Sequence, residues 1–173
     1  MQLDEAVKLI QHSIIKEKTA YADLGCGNGL FTKALAQLLA PQSVIYAVDK
    51  NSTALNSFSI DANIQLQKIN IDFIQDELPF KILSGILMAN SLHYVEDKNA
   101  FLLKAKASLA PNGYFIVVEY DTDKANHWVP YPVSFSSLHS LFAKINFHAV
   151  QKLQTYPSRY WRTMYSALIK KNE

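Results

Sequence analysis

Asp23-Leu24-Gly25-Cys26-Gly27-Asn28-Gly29 follows a short apolar run, Thr19 to Leu24, and opens a helical pattern at Leu30. A strand, a glycine turn and a helix in that order begin an α/β unit, so this stretch decides the fold. Glycines at alternate positions let backbone amides come within reach of a ligand, because no Cβ stands in the way. A helix starting at Leu30 adds its own unpaired N–H groups at the same spot. Asp23, just upstream, favours a ligand with a cationic end over a purely anionic one. Together these features imply a nucleoside carrying an amino-acid tail.

Working outward, the residues before the turn place Leu3, Val7, Ile10 and Ile14 on one stripe, which predicts an N-terminal helix within residues 1–18. After the turn, Phe31 to Leu39 reads as a helix stopped by Pro41, and Ser43 to Asp49 as a β-branched strand. A short helix holding Leu55 and Phe58, capped by Asn51 or Ser52, leads to the alternating strand Gln65 to Ile69. Ile82 to Ala89 predicts a buried central strand, and Asp97 to Leu109 a helix stopped by the turn Pro111-Asn112-Gly113. Tyr114 to Tyr120 is the next strand. Asp121 to Ser134, with Trp128, Pro130, Tyr131 and Pro132, reads as a long functional loop. A helix marked by Phe135, Leu138, Leu141, Phe142 and Ile145 follows, then strands around His148–Tyr156 and Arg162–Lys170.

Alternating strands and helices predict a doubly wound, mostly parallel seven-stranded α/β sheet with helices on both faces. The last two strands lack a helix between them and are expected to form a C-terminal antiparallel hairpin. Ligands of such sheets sit beyond the carboxyl ends of the strands, where the glycine turn, Asp49, Asp72 and Asn90 all fall.

Composition narrows the function. The chain has 173 residues, 49% hydrophobic and 18% charged, which suits one globular domain spanning 1–173. A net charge of +2 with scattered basic residues gives no footprint for DNA. A lone cysteine excludes a disulfide framework and a multi-cysteine metal site, and no metal is expected. No apolar run is long enough to span a membrane, and the charged amino terminus is no secretory signal, so a cytoplasmic location is expected. Oligomeric state is not fixed by the sequence.

From Tyr21 to Tyr120, and more loosely beyond, the chain resembles the class I S-adenosylmethionine-dependent methyltransferases, which have a Rossmann-like fold. The resemblance rests on DLGCGNG at 23–29, on Asp49 and Asp72-Phe73 after the second and third strands, on Leu78-Pro79-Phe80, and on Asn90-Ser91-Leu92-His93-Tyr94. It implies that the turn, with Asp23, Gly25, Cys26, Gly27 and Gly29, wraps the methionine part of S-adenosylmethionine. It further implies that Asp49, beside Lys50, holds the ribose, that Asp72 holds the adenine amino group with Phe73 beside the ring, and that Asn90 and Ser91 belong to the cofactor loop. Ser84-Gly85 stands where the family often carries an acid, and Asn112 replaces a turn glycine. Cys26 is expected to fill space rather than act as a nucleophile.

Spacing alone leaves a nicotinamide cofactor open, because Asp49 lies 20 residues after Gly29; Leu30 at the last fingerprint position disfavours it. His93 and Tyr94 sit where a methyl acceptor should approach, and His93 is a candidate general base, or else a packing residue. Tyr94, Trp128, Tyr131 and Arg159 are candidate acceptor-pocket residues, with His127, Tyr160 and Trp161 as further possible walls. The amino-methyltransferase prolines are absent after Asn90, and the only thiol is misplaced for cytosine C5 chemistry. A small-molecule acceptor is therefore expected. An RNA methyltransferase working with a partner, or a catalytically silent cofactor-binding module, are the alternatives.

Overall fold

A computed structural model describes residues 1–14, 17–60, 63–158 and 163–171. Its seven strands are β1 (Ala20–Leu24), β2 (Val44–Val48), β3 (Gln65–Ile69), β4 (Leu83–Ala89), β5 (Leu109–Tyr120), β6 (Ala149–Tyr156) and β7 (Met164–Lys170). They form one sheet in the order β3-β2-β1-β4-β5-β7-β6. All pairs are parallel except those of β7, which runs antiparallel to both β5 and β6. The expected hairpin is there, and the strand order reverses between β1 and β4. A ligand crevice opens at such a reversal.

Five helices cover the sheet: α1 (Leu3–Ile10), α2 (Leu30–Leu38), α3 (Ser52–Asn56), α4 (Lys98–Lys106) and α5 (Phe135–Ala143). Strand alternation splits the core in two. On one face Tyr21, Ile45, Leu87 and Ile116 pack against Leu9 and Ile10 of α1 and Ala34 and Leu35 of α2. On the other, Ala22, Ile86, Phe115 and Val117 meet Leu102 of α4 and Leu138 and Phe142 of α5. Central strands buried on both sides need apolar residues at every position, which is why β4 and the end of β5 read as continuous apolar runs. The edge strands β3 and β6 are mostly exposed and correspondingly polar. Caps fix the helix starts: Asn51, Asp97 and Ser134 accept from the N–H groups of Ala54, Ala100 and Ser137.

The family's missing acid on β4 has a steric explanation. Gly85 lies directly between Tyr21 of β1 and Tyr114 of β5 in the pairing register. The two tyrosine hydroxyls hydrogen-bond to each other, and a Cβ on Gly85 would collide with the Tyr21 ring.

Three boundaries correct the sequence reading. The N-terminal helix stops at Ile10 and tightens into a 3-10 turn at Gln11–Ser13, because the Ser13 hydroxyl donates to the Ile10 carbonyl at 2.6 Å. Helix α4 ends at Lys106 rather than near Leu109, since Leu109 already pairs with Leu83 as β5 begins. Pro111-Asn112-Gly113 is therefore an irregular excursion within that strand rather than a turn before it. Strand β4 starts at Leu83, one residue late, because Ile82 takes a left-handed backbone (φ 61°) and stays 77% exposed. Among the described residues no helix is long and apolar enough to cross a membrane.

Candidate active site

The glycine turn folds over the end of β2. Gly25 and Cys26 both donate their N–H groups to the Val48 carbonyl, at 2.8 and 3.0 Å. Gly27 donates to Asp49 Oδ2 at 2.8 Å, and Gly29 to the Cys26 carbonyl at 2.9 Å. This corrects the expectation that these amides are offered to a ligand: the four are used to shape the turn. A spent set of amides is a poor pyrophosphate cradle, which weighs against a dinucleotide. Gly25 has φ +78°, and a Cβ there would stand 2.6 Å from the Ser91 Cβ. Ser91 in turn donates its hydroxyl to the Leu24 carbonyl at 2.6 Å, lacing the end of β4 to the end of β1.

Carboxylates occupy the neighbouring strand ends. Asp49 accepts from Gly27 N–H with one oxygen and from Asn51 N–H, at 2.8 Å, with the other. Asp72 accepts from Ile74 N–H at 3.0 Å and from Lys50 Nζ at 3.3 Å. Partial burial pushes Asp72 up, but the Ile74 N–H and the Lys50 ammonium outweigh it and hold the carboxyl below its ordinary value. Asp23 differs from both. It is 1% exposed, accepts from Thr32 Oγ1 at 2.6 Å, and is pushed up to about 7, first by burial and then by the charge of Asp49.

These ends enclose a cleft of about 340 Å3 lined by Gly25, Asp49, Lys50, Asp72 and Phe73 on one side. Asn90, Ser91 and Tyr94 line the other. Asp23, Cys26, Gly27 and Gly29 do not line it. The Cys26 side chain packs with Ala47, Leu55 and Phe58, and burial followed by the charges of Asp23 and Asp49 pushes its thiol far above the ordinary value. It is a space-filler, not a nucleophile.

A second chamber of about 440 Å3 adjoins the cleft and shares Asn90 and Tyr94 with it. Its other walls are His93, Tyr120, Asn126, Trp128 and Val129. The Asn90 backbone is left-handed (φ 54°), and its buried side-chain Oδ1 has no hydrogen-bond partner among the described residues. His93, 2% exposed, is held by Glu119, 1% exposed, at the end of β5. Glu119 accepts from the His93 backbone N–H at 3.1 Å and pairs with the ring Nδ1 at 2.7 Å. The Tyr94 ring packs against the imidazole, tilted by 52°, with the ring centroids 4.3 Å apart.

The 121–134 loop that closes the chamber is tied down. Tyr131 N–H donates to the His93 carbonyl at 3.0 Å, and Lys98 Nζ to the Tyr131 carbonyl at 2.6 Å. Asn126 Oδ1 accepts from the N–H groups of Trp128 and Val129. Trp128 is 78% exposed at the mouth. Tyr131, expected in the acceptor pocket, instead lays its ring against Lys98, and His127 is exposed beside Trp128. Arg159, Tyr160 and Trp161 lie outside the described residues. Glu119, Tyr120, Asn126 and Val129 escaped the sequence reading. A signal existed for Glu119: one charge in the run Phe115 to Tyr120 must find a buried partner.

Comparison with known proteins agrees with this layout. A family model described as a methyltransferase domain matches residues 15–168. Among solved structures, the YcgJ protein of Bacillus subtilis is similar with a TM-score of 0.75 at 13% identity, over 98% of this chain and 99% of that one. An S-adenosylmethionine-dependent methyltransferase of Mesorhizobium loti is similar at 0.70 and 16%, over 98% and 100%. The 1,6-didemethyltoxoflavin-N1-methyltransferase of Burkholderia thailandensis, with bound 1,6-didemethyltoxoflavin and S-adenosylhomocysteine, is similar at 0.72 and 19%, over 99% and 78%. Identities this low speak to the fold alone. No curated protein matches by sequence. The glycine turn, the strand order and the family match agree: the chain belongs to the methyltransferase-domain family and is a class I S-adenosylmethionine-dependent methyltransferase.

Proposed function

We propose that the protein methylates a small-molecule acceptor held in the 440 Å3 chamber, with S-adenosylmethionine in the adjoining cleft. The observation that carries this reading is the junction of the two spaces at Asn90 and Tyr94, which puts an acceptor beside the cofactor. The chamber lies within the usual range of small-molecule pockets and is closed by an ordered loop. The Burkholderia relative, which carries a heteroaromatic acceptor, supports the same class.

The residues fit the cofactor. Asp49 retains acceptor capacity for ribose hydroxyls, and Asp72 with the Phe73 ring suits adenine. Carboxylates and an unpaired Asn90 Oδ1 suit a cationic amino-acid tail, where a pyrophosphate would want free amides. The bound cofactor supplies an electrophilic methyl group. The chain has to align the acceptor and keep water out, and Tyr94 and Ser91 border both tasks.

Titration calorimetry tests the cofactor half of this proposal. Asp49→Ala should weaken S-adenosylmethionine binding by roughly 1–3 kcal/mol, the worth of lost hydrogen bonds to a charged group. Unchanged affinity would remove the ribose placement. Transfer of a tritiated methyl group to a small-molecule extract, but not to bulk RNA, is the expected outcome for the acceptor.

A further inference from the structure

The chamber states something about its occupant beyond size. None of its described lining residues carries a formal charge, and three of them are Tyr94, Tyr120 and Trp128. The other feature is the His93 ring, fixed through Nδ1 to a buried carboxylate. Glu119 accepts from both the backbone and the ring of His93, so the ring proton belongs on Nδ1 and the lone pair on Nε2. No hydrogen bond among the described residues engages Nε2. Lys98 does not line the chamber and is spent on the carbonyls of Val95 and Tyr131.

We infer that the acceptor is an aromatic or heteroaromatic compound carrying no carboxylate, methylated at an O–H or N–H group, with His93 Nε2 as the base and Glu119 as its positioning residue. The inference rests on the methyl-transfer reading above. The acceptor's O–H or N–H bond breaks and its proton passes to Nε2. The freed electron pair forms the new bond to carbon while the carbon–sulfur bond breaks and leaves its pair on sulfur. Positive charge disappears from sulfur and appears on the imidazolium, where the Glu119 carboxylate faces it. A chamber walled by aromatic rings and lacking a cation has nothing to offer a carboxylate and stacks a neutral ring well. The exposed mouth at Trp128 returns the proton to water.

Two measurements test this without relying on turnover. In the S-adenosylhomocysteine complex of a Trp161→Phe variant, quenching of Trp128 fluorescence should report phenol and hydroxyquinoline at concentrations where benzoate leaves it unchanged. The nitrogen-15 spectrum of His93 should show the Nδ1–H tautomer, kept in Glu119→Gln and lost in Glu119→Leu. In turnover, His93→Gln should cost roughly 100-fold or more in kcat on phenol, which must lose its proton, with KM little changed. Tighter binding of benzoate, an Nε2–H tautomer in the unmodified protein, or a loss carried by KM rather than kcat overturns the inference. Absence of any heat with S-adenosylmethionine would instead overturn the methyl-transfer reading beneath it.

Discussion

The two halves of the site are built on opposite principles. The cofactor half, at the ends of β1, β2 and β3, presents charge: Asp49 and Asp72 take local bonds from Asn51 and Ile74 and are tied to neighbouring strand ends by Gly27 and Lys50. The acceptor half, at the ends of β4 and β5, is uncharged on its surface and aromatic. His93 meets Glu119 across 26 residues, and Tyr165 of β7 donates to the Val133 carbonyl across 32. Each half also buries one carboxylate. Glu119 has two N–H donors, whereas Asp23 has a single hydroxyl. With one donor set against its burial, the Asp23 carboxyl resists ionising. The difference teaches that one space presents charge to its occupant and the other an aromatic surface.

The largest expected effect comes from Asp23. Its folded value, about 7, lies above the unfolded 3.8, so its contribution is present below pH 4 and is lost as pH rises through about 7. The loss is about 4 kcal/mol at most, and calorimetric stability of the apo protein should fall across that window. Asp23→Asn should flatten this slope, and a slope that persists in the variant would place it elsewhere. Next is Gly25→Ala. A left-handed backbone costs an alanine roughly 1–2 kcal/mol, and the added Cβ displaces Ser91, so cofactor affinity should drop roughly 100-fold. Phenol binding at Trp128, read by fluorescence, should hardly change if the halves are separable. The smallest effect tests the other side. Trp128→Ala should raise the KM for the acceptor about tenfold by removing an aromatic wall, with S-adenosylmethionine affinity unchanged by calorimetry. A loss of cofactor affinity in that variant would break the distinction between the halves.

Much of this was legible beforehand, and for a common reason. Strand and helix order followed from apolar periodicity, and the hairpin from the missing helix before β7. The boundaries that failed are those where a contact outside the local pattern intervened. Ser13 takes the Ile10 carbonyl, and Leu109 is claimed by Leu83 before the helix can reach it. The glycine turn was found correctly, but its amides were assigned to a ligand when the end of β2 takes them. Tyr131 was placed in the pocket on its residue type, while the backbone bond from Tyr131 to His93 and the bond from Lys98 turn it away.

By itself the sequence determined the α/β order, the methyltransferase family and the row of carboxylates proposed to receive the donor. Those depend on spacing within a few residues, which the chain carries whatever it folds against. Only the tertiary structure decided that Glu119 stands behind His93, that Gly85 makes room for two joined tyrosines, and that cleft and chamber meet at Asn90. Each requires strands distant in sequence to lie side by side, and that adjacency comes from packing two apolar faces rather than from any local pattern.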